Sequence, residues 1–288
     1  MSRVKLVLDS TADVPEEWLS KYDIAMIPLH ITWPDGKTED DTRERDSVVG
    51  YWRTLEKASE FPKSSQPSPA EFTALYRNIK REGYDEIVVL TLSSAMSGTY
   101  NSALIAARDS NIPVHVIDTK KASAAATLIA KRAREFLDSG MNTQKMKDLI
   151  CQEIAEGKVH AIFYVSNFDF LVKGGRVSKF QGFVGGLLNI NVCLYITHDS
   201  GDMIPFKRIR GEKKAQRAVI DKISMEVPAG SEVDIMMVHA ENKEGIDILA
   251  EQLKEYYDIA TFDETMMGKV ISTHVGPGTA GFALYWKE

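Results

Sequence analysis

Cysteine is nearly absent. Cys151 and Cys193 are the only two in 288 residues, they stand in unrelated contexts, and their spacing builds neither a disulfide framework nor a zinc site. A reducing, cytoplasmic setting is therefore expected. No apolar run approaches the ~18 to 20 residues of a membrane-spanning helix, and "MSRVKLVLDSTAD" passes straight into a strand pattern with no long apolar segment before it. No integral membrane segment is expected. Nor are cations gathered into a stripe: 35 Lys and Arg against 41 Asp and Glu leave a net charge of −6, so nucleic acid is not an expected partner. The chain also lacks G-x-x-x-x-G-K-[ST], a G-x-G-x-x-G opening a βαβ unit, H-E-x-x-H and C-x-x-C. Nucleotide, metal and redox cofactors are thus without support, and the expectation is that there are none.

What is present is an ordinary globular balance, 44% apolar and 26% charged. Strand-length apolar runs alternate with helical periods, which argues for an α/β fold. Segments 4–10, 25–33, 86–92 and 114–119 read as strands with little polar alternation, as in a parallel sheet covered on both faces. Helical spacing is expected over 15–21, 46–57, 69–82, 98–109, 123–138 and 143–156. These make a first, Rossmann-like parallel-sheet domain over residues 1–160. Residues 161–288 read as a second α/β domain with a mixed sheet. It holds a ribbon over 192–210 turning at Ser200 and Gly201, a helix over 212–225, a strand over 232–240, a further helix and two closing strands. The run "DGKTEDDTRERD" (35–46) reads as a solvated loop, because its carboxylates lack the spacing of a Ca²⁺ loop.

Four hydroxyls crowd "SSAMSGTY" (93–100), a turn between an apolar strand and an amphipathic helix. Helix capping alone accounts for one of them. The rest point to a ligand, since helix N-termini at the carboxyl ends of parallel strands offer free N–H groups and partial positive charge. Comparable turns recur at "DSTADVP" (9–15), "KSSQPSPAEF" (63–72) and "DTKKAS" (118–123). Further on, "STHVGPGTAGF" (272–282) sets His274 beside a Gly-Pro-Gly turn suited to a ligand wall. The stretch 170–192 mixes glycine pairs with Phe170, Phe180, Phe183, Val184, Leu187 and Leu188, either core or a greasy wall. An enzymatic alternative uses Ser97 as nucleophile, His274 as base and Asp9 or Asp118 as orienting acid, in the manner of a serine esterase. The first glycine of the G-x-S-x-G elbow is missing from it.

"DSTADVP", "SSQPSPAEF", "LSSAMSGTYNSA", "VIDTKKAS", "FLVKGGRVSK" and "HVGPGTAG", in this order from residue 4 to about 285, resemble the DegV family of bacterial fatty-acid-binding proteins. The resemblance implies a two-domain carrier that holds one long-chain fatty acid, such as palmitate, between its domains. It also implies a separate ATP-dependent fatty acid kinase that phosphorylates the exposed carboxylate to an acyl phosphate. The carrier itself would not be an enzyme. The family's head-group contacts fall on Ser64, where Thr is usual, on Ser97 and on His274, and its GGR arginine falls on Arg176 near the mouth. Ser65, Ser94 and Gly98 complete the expected ligand-binding set. Two departures concern the tail channel: "NINV" (189–192) where the family often reads LNIKP, and Ala124 and Ala126 where it often has glycine. A generic small-anion binder is the third reading.

Overall fold

The computed structural model describes residues 2–176 and 190–287. In chain order they form β1 (Val4–Asp9), α1 (Glu16–Lys21), β2 (Ile24–Ile27), β3 (His30–Thr32), β4 (Thr38–Asp40), α2 (Arg45–Lys57), β5 (Lys63–Ser65), α3 (Pro69–Arg81), β6 (Glu86–Thr91), α4 (Thr99–Arg108), β7 (Val114–Asp118), α5 (Ala124–Asp138) and α6 (Thr143–Ala155). They continue with β8 (Val159–Val165), α7 (Phe168–Gly174), β9 (Ile190–Ile196), β10 (Met203–Arg210), α8 (Glu212–Ser224), β11 (Glu232–Ala240), α9 (Lys243–Tyr256), β12 (Asp258–Met266), α10 (Lys269–Val275) and β13 (Thr279–Trp286). Phe180, Phe183, Val184, Leu187, Leu188 and Asn189 lie outside the described residues, whereas Phe170 is core.

A four-stranded sheet, β2-β1-β6-β7, is parallel throughout. A six-stranded sheet, β10-β9-β8-β13-β11-β12, is antiparallel except for the parallel pair β11 and β12. The central strands of both sheets, β1 and β6 in one and β9, β8, β13 and β11 in the other, are buried on two faces, which is why they read as nearly continuous apolar runs. The period of two is still there: Leu6 and Leu8 point to one core and Val7 to another. On one outside, α3 and α4 cover the parallel sheet through Phe72, Tyr76 and Ala103. On the other, α8 and α9 cover the mixed sheet through Val219, Ile223, Leu249 and Leu253. Between the sheets lies one continuous core that takes side chains from both, with α2, α5 and α10 inside it. The molecule is therefore layered helix, sheet, helix, sheet, helix.

Two expectations are corrected by the third, small antiparallel sheet, β4-β3-β5. The strand expected over 25–33 breaks at Pro28, which has no N–H to give to a ladder, and the Leu29 amide bonds to Ser10 Oγ at 3.0 Å instead. The chain then leaves the parallel sheet and starts β3 in another. The run 35–46 contains β4, and its Asp41 is fully buried rather than solvated. Short strands of polar residues carry no hydrophobic period, so neither was visible in the sequence.

Candidate functional site

The strand order of the parallel sheet reverses between β1 and β6, the place where such sheets open a crevice at their carboxyl ends. The two strands are tied there by Asp9, whose carboxylate accepts from the Leu92 amide at 2.7 Å and from the Thr11 amide at 3.1 Å. Three non-glycine residues in the following turns have left-handed backbones, Asp13 (φ 56°), Lys120 (φ 50°) and Ser123 (φ 54°). Such conformations persist only where neighbours impose them. Here the Ser123 amide donates to Thr11 O at 2.7 Å, its hydroxyl donates to the Asp13 carboxylate, and the Lys120 amide donates to Asp118 Oδ1 at 3.0 Å. The turns after β1 and β7 are thereby fastened into one wall.

The turn after β6 presents Ser97, whose hydroxyl is paired with Thr99 Oγ1 at 2.9 Å. Gly98 lies directly under the Gln66 amide: a Cβ there would sit 2.3 Å from Gln66 Oε1, so a larger residue would displace that side chain. Gln66 lies across the start of α4 and donates to Ser102 Oγ at 3.0 Å. That contact brings Ser64 and Ser65 of β5 beside the Ser97 turn.

His274 arrives from the opposite half of the chain, on the last turn of α10. The first turn of α10 is capped by carboxylates of the first half: Gly268 N donates to Asp13 Oδ1 at 2.7 Å and Lys269 N to Asp41 Oδ1 at 2.9 Å. Buried Arg43 pairs with Asp13 at 3.1 Å and also donates to Met266 O at 2.6 Å. Tyr51 and Trp52 of α2 grip the next turn through Thr273 Oγ1 (2.6 Å) and Ser272 Oγ (2.8 Å). So held, His274 places Nε2 2.7 Å from Ser64 Oγ. Its buried Nδ1 lies against the Gly174 backbone without a full hydrogen bond, and a Cβ on Gly174 would come within 2.7 Å of it. Burial, helped by the nearby Arg176 guanidinium, pushes the imidazole pKa down to about 4. The ring is neutral at physiological pH, although a helix C-terminus favours the cation.

These groups end a cavity of about 510 Å³ in the layer between the sheets, within the ~300 to 1,000 Å³ of ligand pockets. Ser64, Ser65, Ser97, Gly98, His274 and Arg176 all line it. Arg176 is exposed at the mouth and donates to Gly174 O at 2.8 Å. Ser94 does not line it; its amide and hydroxyl are given to Asp118, at 3.1 Å for the amide. The Gly-Pro-Gly turn also stays out of the lining. Gly276 (φ 79°) instead lets the chain pack on Phe170, where a Cβ would be 2.3 Å from the ring. Beyond the polar end the walls are apolar: Leu92, Met96 and Ala125 on one side, Phe163, Ile196 and Met203 on the other. Of the two alanine departures, Ala124 faces the cavity and Ala126 does not. Sequence reasoning marked the turns that hold Thr11 and Ser123 but gave those residues no role; both line the cavity, as do Gln66 and Met96.

The esterase arrangement is not formed. Ser97 pairs with Thr99, His274 pairs with Ser64, and the carboxylates of Asp9 and Asp118 are spent on Thr11, Leu92, Ser94 and Lys120. A nucleophile needs its base within hydrogen-bond reach and the base an orienting acid. What the arrangement can do is meet an acceptor-rich head group with hydroxyl and imidazole donors while an apolar chain fills the interior. No helix among the described residues is long and apolar enough to cross a membrane, and no cluster of three or more metal-ligating side chains occurs among them.

Known proteins share this build. A fatty acid-binding protein of Thermotoga maritima is 48% identical over 282 residues, covering 98% of this chain and 97% of its own. Two solved structures from the same organism superimpose closely. One is a DegV lipid-binding protein, with a TM-score of 0.95, 45% identity and 99% of each chain covered. The other, described as revealing fatty acid binding function, has a TM-score of 0.94, 44% identity and all of both chains covered. The DegV family itself is matched over residues 3–287, from the first strand to the end of the last. Both sheets and the crevice between them thus fall inside the match, and the chain belongs to the DegV family.

Proposed function

We propose that this chain is a carrier, not an enzyme, that holds one long-chain fatty acid in the inter-sheet cavity with its carboxylate at Ser64, Ser97 and His274. The observation that carries the reading is the contrast within one cavity: a short polar end built from neutral donors and a long interior built from Leu, Met, Ala, Ile and Phe. The fatty acid-binding proteins of Thermotoga maritima that share almost its whole length support the reading. A tail of about 15 methylenes at ~0.8 kcal/mol each contributes on the order of 12 kcal/mol before entropy losses. The head group adds roughly 1.5 to 3 kcal/mol per hydrogen bond to a charged acceptor. The tail sets affinity and the head group sets orientation.

The finer step concerns what happens at the mouth. Neutral donors hold a carboxylate without the grip of a buried bidentate Arg, leaving its oxygens nucleophilic toward a γ-phosphate. We infer that a separate ATP-dependent fatty acid kinase phosphorylates the bound acid there, and that the acyl phosphate stays in the cavity. Arg176, the exposed cation at the opening, is suited to meet the added negative charge. The ligand lies between residues 1–160 and 161–288 in this reading, in a cytoplasmic protein. Native mass spectrometry of the freshly purified chain tests it. A bound long-chain acid released intact on denaturation is expected; ligand-free protein that steadily hydrolyses acyl esters would overturn it.

A further inference from the structure

A second cavity, of about 340 Å³, lies against β8 and β9, walled by Lys121, His160, Tyr195, Thr197, His198 and Lys222 and shut off from the first by Ala161, Ile162 and Ile196, which border both. Its polar groups are incompletely used. Lys121 is 1% exposed, and its ammonium donates to two carbonyls, Ile196 O and Thr197 O, each at 3.0 Å. An ammonium has three protons to give. His160 Nε2 is buried with no hydrogen-bond partner. Buried donors without acceptors are uncommon, and each such group calls for an explanation.

The lining carries three carboxylates, Glu226, Asp199 and Asp202, beside the ammonium groups of Lys121 and Lys222, but each carboxylate already has partners of its own. Lys222 is neutralised by Glu226 at 2.5 Å and sits over the Tyr195 ring at 4.6 Å. Asp199 and Asp202 belong to the turn between β9 and β10, where Asp199 is exposed and its Oδ1 accepts from the Ser200 amide at 2.7 Å, while the Asp202 carboxylate accepts from Ser200 Oγ at 2.7 Å. What remains deeper in the cavity is Lys121 and His160, with His198 at the rim. We infer that this cavity is a second binding site, for a small oxyanion, either a phosphate or a carboxylate, which takes the unused Lys121 proton and a hydrogen bond from His160. Burial holds the Lys121 pKa down to about 7 and the His160 pKa down to about 4. An anion between them raises both, because a nearby opposite charge offsets the burial that lowers them.

The site also touches the carrier's first cavity. Lys121 O accepts the Ser93 amide at 2.8 Å, and Ala122, the next residue, lines the fatty-acid wall. Titration of the fatty-acid-loaded chain with inorganic phosphate and, separately, with acetate tests the inference, read by calorimetry and by the His160 ring resonances. The expected result is saturable one-to-one binding of at least one of the two, moving the His160 resonances. Saturation by phosphate alone or by acetate alone identifies the class of oxyanion. Lys121→Met should weaken it tenfold or more, and His160→Gln should weaken it several-fold. Neither should change fatty-acid occupancy by native mass spectrometry, and if Lys121→Met does not fold, His160→Gln decides. Absence of saturable binding with both anions, or binding unchanged in the variants that fold, overturns the inference.

Discussion

The two sheets face one cavity and supply opposite things to it. The parallel sheet ends there in turns, and turns bring hydroxyls, amides and left-handed backbone: Thr11, Ser97 and Ser123 all come from its carboxyl edge. The mixed sheet presents its face rather than its edge, and a sheet face in a core is apolar: Phe163, Ile196, Val238 and Ala283. A strand's end offers chemistry and its middle offers volume. Loss at the first should cost orientation, and loss at the second should cost affinity.

The largest expected effect strikes the joint between the two. Arg43→Ala leaves the buried Asp13 and Asp41 carboxylates without their cation, which should destabilise the fold by about 3 to 5 kcal/mol. An unchanged urea midpoint would show that α10 is held by packing alone. Next is the apolar wall. Ala283 and Ala161 are register partners on β13 and β8, and both border the cavity. Ala283→Phe should exclude about four methylenes of tail, roughly 3 kcal/mol or 10²-fold in affinity for long-chain acids, with shorter acids spared. Equal loss for all chain lengths would mean that the fold, not the volume, had changed.

Much of the comparison is legible in the sequence. The apolar runs of β1, β6 and β7 and the hydroxyl-rich turns after them are local signals, and Ser64, Ser97 and His274 do meet at one end of one cavity. What stayed hidden is long-range. Gln66 resting on Gly98, and Asp13 and Asp41 capping a helix more than 220 residues away, leave no periodic trace. Ser94 misled because hydroxyls in one turn face different ways, and its partner Asp118 lies on the neighbouring strand.

At the polar end the effects should be smaller and of another kind. Ser97→Ala and Ser64→Ala each remove one donor, so affinity should fall by no more than about 1.5 to 3 kcal/mol while phosphate acceptance by a cognate kinase falls further. Calorimetry alongside a coupled kinase assay checks this; proportional losses in both would erase the division of labour between tail and head. Acid should probe His274 directly. Its folded pKa lies near 4, below the ordinary 6.5, so the unfolded chain takes up the proton first. The stability tied to the neutral ring is whole above about pH 6.5 and is lost as pH falls toward 4. His274→Asn should flatten part of that slope in urea melts, and an identical slope would mean that the ring is no more buried than in a peptide. The smallest effect on binding belongs to Arg176→Ala: fatty-acid affinity within about threefold, with kinase turnover down by roughly tenfold, as for one lost charge-assisted contact.

His274 and Ser64 stand 210 positions apart in the chain yet 2.7 Å apart in space, one on the helix α10 and the other on the strand β5. In the proposed reading, where this pair meets the carboxylate, it is a coincidence detector. Neither half of the polypeptide carries a recognisable fragment of it, so two separately produced halves would be blind to a carboxylate until they reassembled. Ligand capture would then report fragment complementation, and a fatty acid would act as the glue that rewards it.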